Sequence, residues 1–194
     1  MAVSAAERID AERLIAAARA ETGLVDFGAP GIDEPLAVFA NALNSEAKLS
    51  ENGIRARTGT IMRVLTTRLR LQECFQRQPD YAREQIAGPV AIVGLARSGT
   101  TKMQRMMAAD PLWQSLPLWK LLDPIDDGTA DSEQRRQALA TAFVEGMTAA
   151  YPDFQAAHPM DAMQPDEEVF LMELTIQNNT LMHSSNVPSY RQWL

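Results

Sequence analysis

A chain of 194 residues, 46% hydrophobic and 22% charged, carries the apolar material for one ordinary globular domain. Its net charge of −7 argues against general nucleic-acid affinity, and its single cysteine, Cys74, excludes an intramolecular disulfide or a cysteine-built metal cluster. Met1–Arg8 lacks the basic and apolar regions of a signal peptide, and no run approaches the ~20 apolar residues of a membrane span, so a cytoplasmic protein without membrane contact is expected.

In chain order, Asp10 is placed to cap a first helix with Leu14, Ile15 and Ala18 on its apolar face, ending near Gly23. Val25 to Ile32, with Gly28, Pro30 and Gly31, reads as a loop, and Glu34 to Leu43 as a second helix around Leu36 and Phe39. Ser50 caps a longer helix carrying Ile61, Val64, Leu65, Leu69 and Leu71 among Arg63, Arg68 and Arg70, whose arginines read as a solvated face. Pro79 starts a short helix, and Gly88-Pro89 breaks into Val90–Val93, an apolar, β-branched run suited to a buried parallel strand. A helix from about Gly99 to Ala109 follows, with Met103, Met106 and Met107 on its inner side. Pro111 to Gly128 reads as irregular, with Asp123, Asp126 and Asp127 in a solvated loop and no metal site. Asp131 or Ser132 starts a helix to about Ala150. Pro165, followed by Asp166, Glu167 and Glu168, opens another that carries Val169, Phe170, Leu174, Leu181 and Met182.

Between Val93 and the helix lies the stretch Gly94-Leu-Ala-Arg-Ser-Gly-Thr-Thr101. Two glycines spaced G-x-x-x-x-G between a strand and a helix build an anion cradle, because backbone N–H groups and the helix dipole converge there. A nucleotide triphosphatase would continue with lysine; here Thr100 and Thr101 follow, and the cation is Arg97 inside the loop. Arg97 offers a planar fork to an oxyanion, and Ser98, Thr100 and Thr101 add hydroxyls. No acidic residue lies between Glu84 and Asp110, whereas Arg97, Lys102 and Arg105 are all basic, so this stretch is a positive island in an acidic chain.

This string, with Lys102-Met-Gln-Arg-Met-Met107 behind it, resembles the 5′-phosphosulfate-binding loop of sulfotransferases, and most of all the broad bacterial sulfotransferase-like family. Glu21-Thr-Gly-Leu-Val-Asp-Phe-Gly28, Ala108-Ala-Asp-Pro111 with Leu116-Pro-Leu-Trp119, the segment His158 to Glu168, and Val187-Pro-Ser-Tyr-Arg-Gln-Trp193 look like further segments of that family. The resemblance implies a P-loop-like α/β fold, of which this chain supplies a mostly helical part with one strand. It implies a helical region over 1–88 and the start of the sulfotransferase domain over 89–194. It also implies an N-terminal fragment that stops before the Arg…Ser pair gripping a 3′-phosphate. The expected activity is sulfuryl transfer from 3′-phosphoadenosine-5′-phosphosulfate (PAPS) to a hydroxyl or amine of a small-molecule acceptor, without a metal. Arg97, Ser98, Gly99, Thr100 and Thr101 are then the donor-binding residues. Relatives often carry an acid after the tryptophan matching Trp119; here it is Lys120.

An acceptor hydroxyl needs a base within hydrogen-bond reach. His158, in a loop beside Pro159 and Asp161, is one candidate, and Glu168 with its neighbour Glu167 is the other. His183, late in an apolar helix, reads as structural. A P-loop kinase, which would need a lysine near position 100 and an acid for Mg²⁺, and a helical interaction module with a vestigial loop are the alternatives. Homo-oligomerisation through an unfinished sheet edge is also compatible with the sequence.

Overall fold

The computed structural model describes residues 8–85, 88–95 and 98–194. The chain divides into two compact units, one formed by Met1–Ala82 with Leu171–Leu194 and the other by Arg83–Phe170.

The first unit is built on three helices whose ends follow local chemistry. Helix α1 (Ala11–Thr22) starts where the Asp10 carboxylate accepts the Arg13 N–H and stops at Gly23, whose φ of 71° suits the left-handed turn of a C-cap. Helix α2 spans Asp33–Ser45. Helix α3 (Glu51–Arg77) starts where Ser50 Oγ accepts the Gly53 N–H, 3.2 Å away. A short 3₁₀ turn at Pro79–Arg83 follows α3.

The apolar stripes of these helices meet in one core, in which Leu36, Phe39, Leu65 and Leu69 are fully buried. A buried side chain of this kind stabilises by about 1.5–3 kcal/mol relative to exposure. The last residues of the chain join the same core through α10 (Pro188–Trp193), where the Tyr190 ring lies 4.9 Å from that of Phe39. The Tyr190 hydroxyl donates to the Ile176 carbonyl and accepts the Asn178 N–H at 3.4 Å. Burial pushes the phenol pKa up, which keeps it in the protonated form that can donate. Tyr190→Phe is expected to cost about 1–2 kcal/mol, because the Ile176 carbonyl loses its donor while the ring packing survives; a urea-unfolding midpoint measures it.

Arg68 departs from the expected solvated arginine face. It is 8% exposed and lies on the buried side of α3. Position 68 falls three and four residues after Leu65 and Val64, on the stripe that faces the core. Its neighbour Arg63 pairs with Glu173.

In the second unit, α4 (Thr100–Ala108) follows the glycine loop, α5 spans Leu118–Leu122, and α6 and α7 span Ser132–Ala150 and Pro152–Ala157. Leu118, Trp119, Leu122, Ala140, Met160 and Ala162 form its core, with Phe143 and Phe170 edge-to-face at 6.0 Å. Arg136 lies over the Trp119 ring, 4.7 Å from its centre.

Four further expectations are corrected. Val90–Val93 forms no strand among the described residues, and Val93 and Leu95 are 91% and 85% exposed. A strand exists only through a neighbour that takes its N–H and C=O groups, and no described segment pairs with this one. Helix α4 correspondingly buries none of its residues, and Met103 and Met106 face outward rather than inward. The Pro111–Gly128 stretch, expected to be irregular, contains α5. Pro165 does not open a helix: it bridges antiparallel to Pro117, with the Leu118 N–H on the Gln164 carbonyl and the Asp166 N–H on the Leu116 carbonyl. The helix expected after it breaks into α8 (Val169–Met172), a 3₁₀ turn at Glu173–Thr175 and α9 (Thr180–His183). The break comes at Ile176, with φ 55°, and Asn178 Oδ1 caps the new turn by accepting the Thr180 N–H at 2.9 Å.

Candidate functional site

The glycine loop turns on itself before α4. Ser98 donates twice to the Leu95 carbonyl, from its N–H at 3.1 Å and from Oγ at 2.6 Å. At Gly94 a Cβ would stand 2.6 Å from Ser98 Oγ and 2.9 Å from Thr100 Cγ2, so only glycine fits inside this turn. Gly99 holds φ at 94° and starts the helix; a Cβ there would meet open space, so this glycine serves conformation rather than packing.

The N-cap of α4 is Gly99, which has no side chain to offer, and Ser98 Oγ just before it is engaged with Leu95, so the helix start has no side-chain cap. The first intrahelical bond runs from the Met103 N–H to the Gly99 carbonyl at 3.0 Å. The amides of Thr100, Thr101 and Lys102 precede it and have no acceptor within the helix. Three donors at the positive end of a helix dipole, beside two threonine hydroxyls and an exposed lysine, suit an oxyanion. Arg97, the loop cation named from the sequence, lies outside the described residues.

Helix α4 is tied to the segment that carries the proposed bases. Gln104 Nε2 donates to the Asp166 carbonyl at 2.8 Å, and Arg105 Nη2 donates to the Pro159 carbonyl at 3.0 Å. His158, half-buried, directly precedes this anchored stretch, and Glu168, exposed, stands two residues after it. The loop helix and both proton-accepting candidates therefore belong to one unit, and the segment between the candidates is anchored to the helix. The rest of that acidic run is divided by environment: Glu167 is half-buried, whereas Asp166 is 3% exposed. Asp166 Oδ1 accepts the Glu167 N–H at 2.8 Å, and Oδ2 is buried without a hydrogen-bond partner among the described residues. Position 166 is the end of the Pro117–Pro165 pairing, a non-local feature with no local sequence signal.

The aspartates after α5 build turns. Asp123, Asp126 and Asp127 accept the N–H groups of Ile125, Gly128 and Thr129, each two residues ahead. Hydrogen bonds from the Thr129 hydroxyl and from Arg135 hold the Asp127 carboxyl well below the usual carboxylate range. His183 ends α9, and no helix among the described residues is long and apolar enough to cross a membrane.

An uncapped helix start that follows a tight glycine turn presents backbone donors of the kind that suit an oxyanion. Residues 89–194 match the model of the sulfotransferase family, and the chain belongs to that family. Among solved structures it is similar to the sulfotransferase STF1 from Mycobacterium tuberculosis H37Rv, with 25% identity and a TM-score of 0.75 over 96% of this chain and 52% of that one. It is also similar in fold to the sulfotransferase STF9 from Mycobacterium avium, with 21% identity and a TM-score of 0.77 over 94% of this chain and 48% of that one. The chain thus spans about half the length of these neighbours. No curated protein sequence matches it.

Proposed function

We propose that residues 89–194 carry the donor-binding part of a sulfotransferase, and that the loop from Gly94 to Thr101 binds the 5′-phosphosulfate of PAPS. The observation that carries this reading is the start of α4, where the Thr100, Thr101 and Lys102 amides stand uncapped beside a turn that only glycine can make. The fit is chemical as well as spatial, since a sulfate or phosphate group is an acceptor only and every group gathered here is a donor.

PAPS would supply an activated sulfuryl group on its 5′-phosphate. The part of this chain is to hold the bridging and terminal oxygens with the amides of α4, the Thr100 and Thr101 side chains, and the Arg97 fork, while Ser98, the other residue expected to bind the donor, spends its hydroxyl proton on the Leu95 carbonyl and holds the turn. Charge that accumulates on the leaving phosphate is then met by dipoles already in place. The proton of an acceptor hydroxyl passes to Glu168 or His158. A small-molecule acceptor and a cytoplasmic location belong to the same reading, and no metal is required by it.

Calorimetric titration tests the assignment. PAPS is expected to bind the chain and Arg97→Ala to weaken it by about 10- to 100-fold, the scale of one lost hydrogen bond to a charged group. Adenosine 5′-phosphosulfate reports whether the 3′-phosphate contributes: equal binding places all recognition at the 5′ end. Preferential binding of ATP·Mg²⁺ would overturn the reading.

A further inference from the structure

The first unit contains a cavity of about 130 Å³ between α3, the loop after α1 and the 3₁₀ turn at Glu173–Thr175. Its lining is apolar at Leu71, Phe75 and Leu174 and polar at Arg68, Gln72 and Thr175. The site opens to solvent on one side, so a ring of the size that a closed cavity of about 150 Å³ holds can enter it with its polar end outside the apolar part. Phe75 stays half exposed at this site.

Arg68 is a buried cation without a carboxylate partner among the described residues. Its acceptors are all backbone carbonyls: Phe27 at 2.7 Å from Nε, Leu174 at 3.0 Å from Nη1, and Gly28 and Pro30 from Nη2. A guanidinium has five N–H groups, so one of the two on Nη1 is left over. The acid on the adjoining loop, Asp26, is engaged by the Gly28 N–H and by Gln76. Carbonyl dipoles lower the cost of burying a charge but do not neutralise it; a counter-ion does.

We propose that this cavity binds a small apolar carboxylate, with a ring or short alkyl body against Leu71, Phe75 and Leu174 and the carboxylate as counter-ion to Arg68. The site lies wholly within the first unit and does not depend on the donor-loop reading. The test uses the whole chain with methyl-labelled leucine, titrated with benzoate and, separately, with the uncharged isostere benzamide. Benzoate is expected to shift the Leu71 and Leu174 methyl signals and to bind about tenfold or more tighter than benzamide, the margin of one charge-assisted contact. Leu71→Trp, which fills the cavity and leaves Arg68 in place, is expected to abolish benzoate binding. Equal binding of the two probes, shifts confined to other leucines, or no saturation at millimolar benzoate would each overturn the proposal. None of these outcomes requires the variant to fold. Loss of PAPS binding in a loop variant is expected to leave benzoate binding unchanged, which separates failure of this proposal from failure of the sulfotransferase reading.

Discussion

Gly94→Val is expected to weaken PAPS binding by about 100-fold or more while leaving the melting temperature of the chain unchanged. A Cβ at position 94 would stand 2.6 Å from Ser98 Oγ, and valine adds two methyl groups to it. Ser98 can escape only by rotating, which breaks its 2.6 Å bond to the Leu95 carbonyl. Thr100 Cγ2, 2.9 Å from the same point, belongs to a β-branched residue in the first turn of α4, where χ1 is restricted. The turn must open, and the amides of Thr100 to Lys102 lose their common focus. Stability is spared because the segment is exposed and belongs to no ladder, the setting in which substitutions stay within about 0.5 kcal/mol. Gly99→Ala is the informative contrast. It strains a φ of 94° by about 1–2 kcal/mol but meets no neighbouring atom, so it disturbs the helix start without filling the cradle. Calorimetry with PAPS, paired with a thermal melt, reads both effects. Unaltered binding by the valine variant would remove the cradle from the mechanism.

Arg68→Met is expected to destabilise the chain by about 3 kcal/mol, measured by urea unfolding. The guanidinium ties three stretches of sequence, since it reaches from α3 to carbonyls 38 to 41 residues earlier and to one 106 residues later. Methionine keeps the aliphatic packing and removes every donor. The carbonyls of Phe27, Pro30 and Leu174 are then left to find water or remain unpaired, at about 1–3 kcal/mol for each that stays buried. Loss of the buried charge offsets part of this. Arg68→Lys is expected to fall in between, because an ammonium cannot address carbonyls on three sides with fixed geometry. A loss under about 1 kcal/mol would mean that the loop after α1 closes without this clamp.

The helix ends were legible because their causes are local. Asp10, Ser50 and Gly23 act on residues within one turn, and each stands where the sequence placed it. The start of α4 was legible for the same reason, from the glycine spacing and the charge change around it. The buried arginine was visible in principle: Ile61, Val64, Leu65, Arg68 and Leu69 share one stripe, and the charge of the side chain obscured its position. Asp166 was hidden among three consecutive acids that look alike, and only the Pro117–Pro165 pairing separates a buried carboxylate from its exposed neighbour Glu168.

By itself, then, the sequence determined the loop, its charge, the capped helices and the family. All of these depend on residues within a few positions of each other or on a recognisable string. Tertiary structure alone decided that residues 171–194 pack with the N-terminal helices, that Arg68 turns inward to the carbonyls, and that Pro165 pairs rather than nucleates a helix. It also decided that Val90–Val93 stands mostly exposed, with no ladder among the described residues. The physical reason is common to all four. A strand, a buried charge and a returning chain end take their stability from partners far away in sequence, and the apolar or charged character of the residue says that a partner is needed without saying which one.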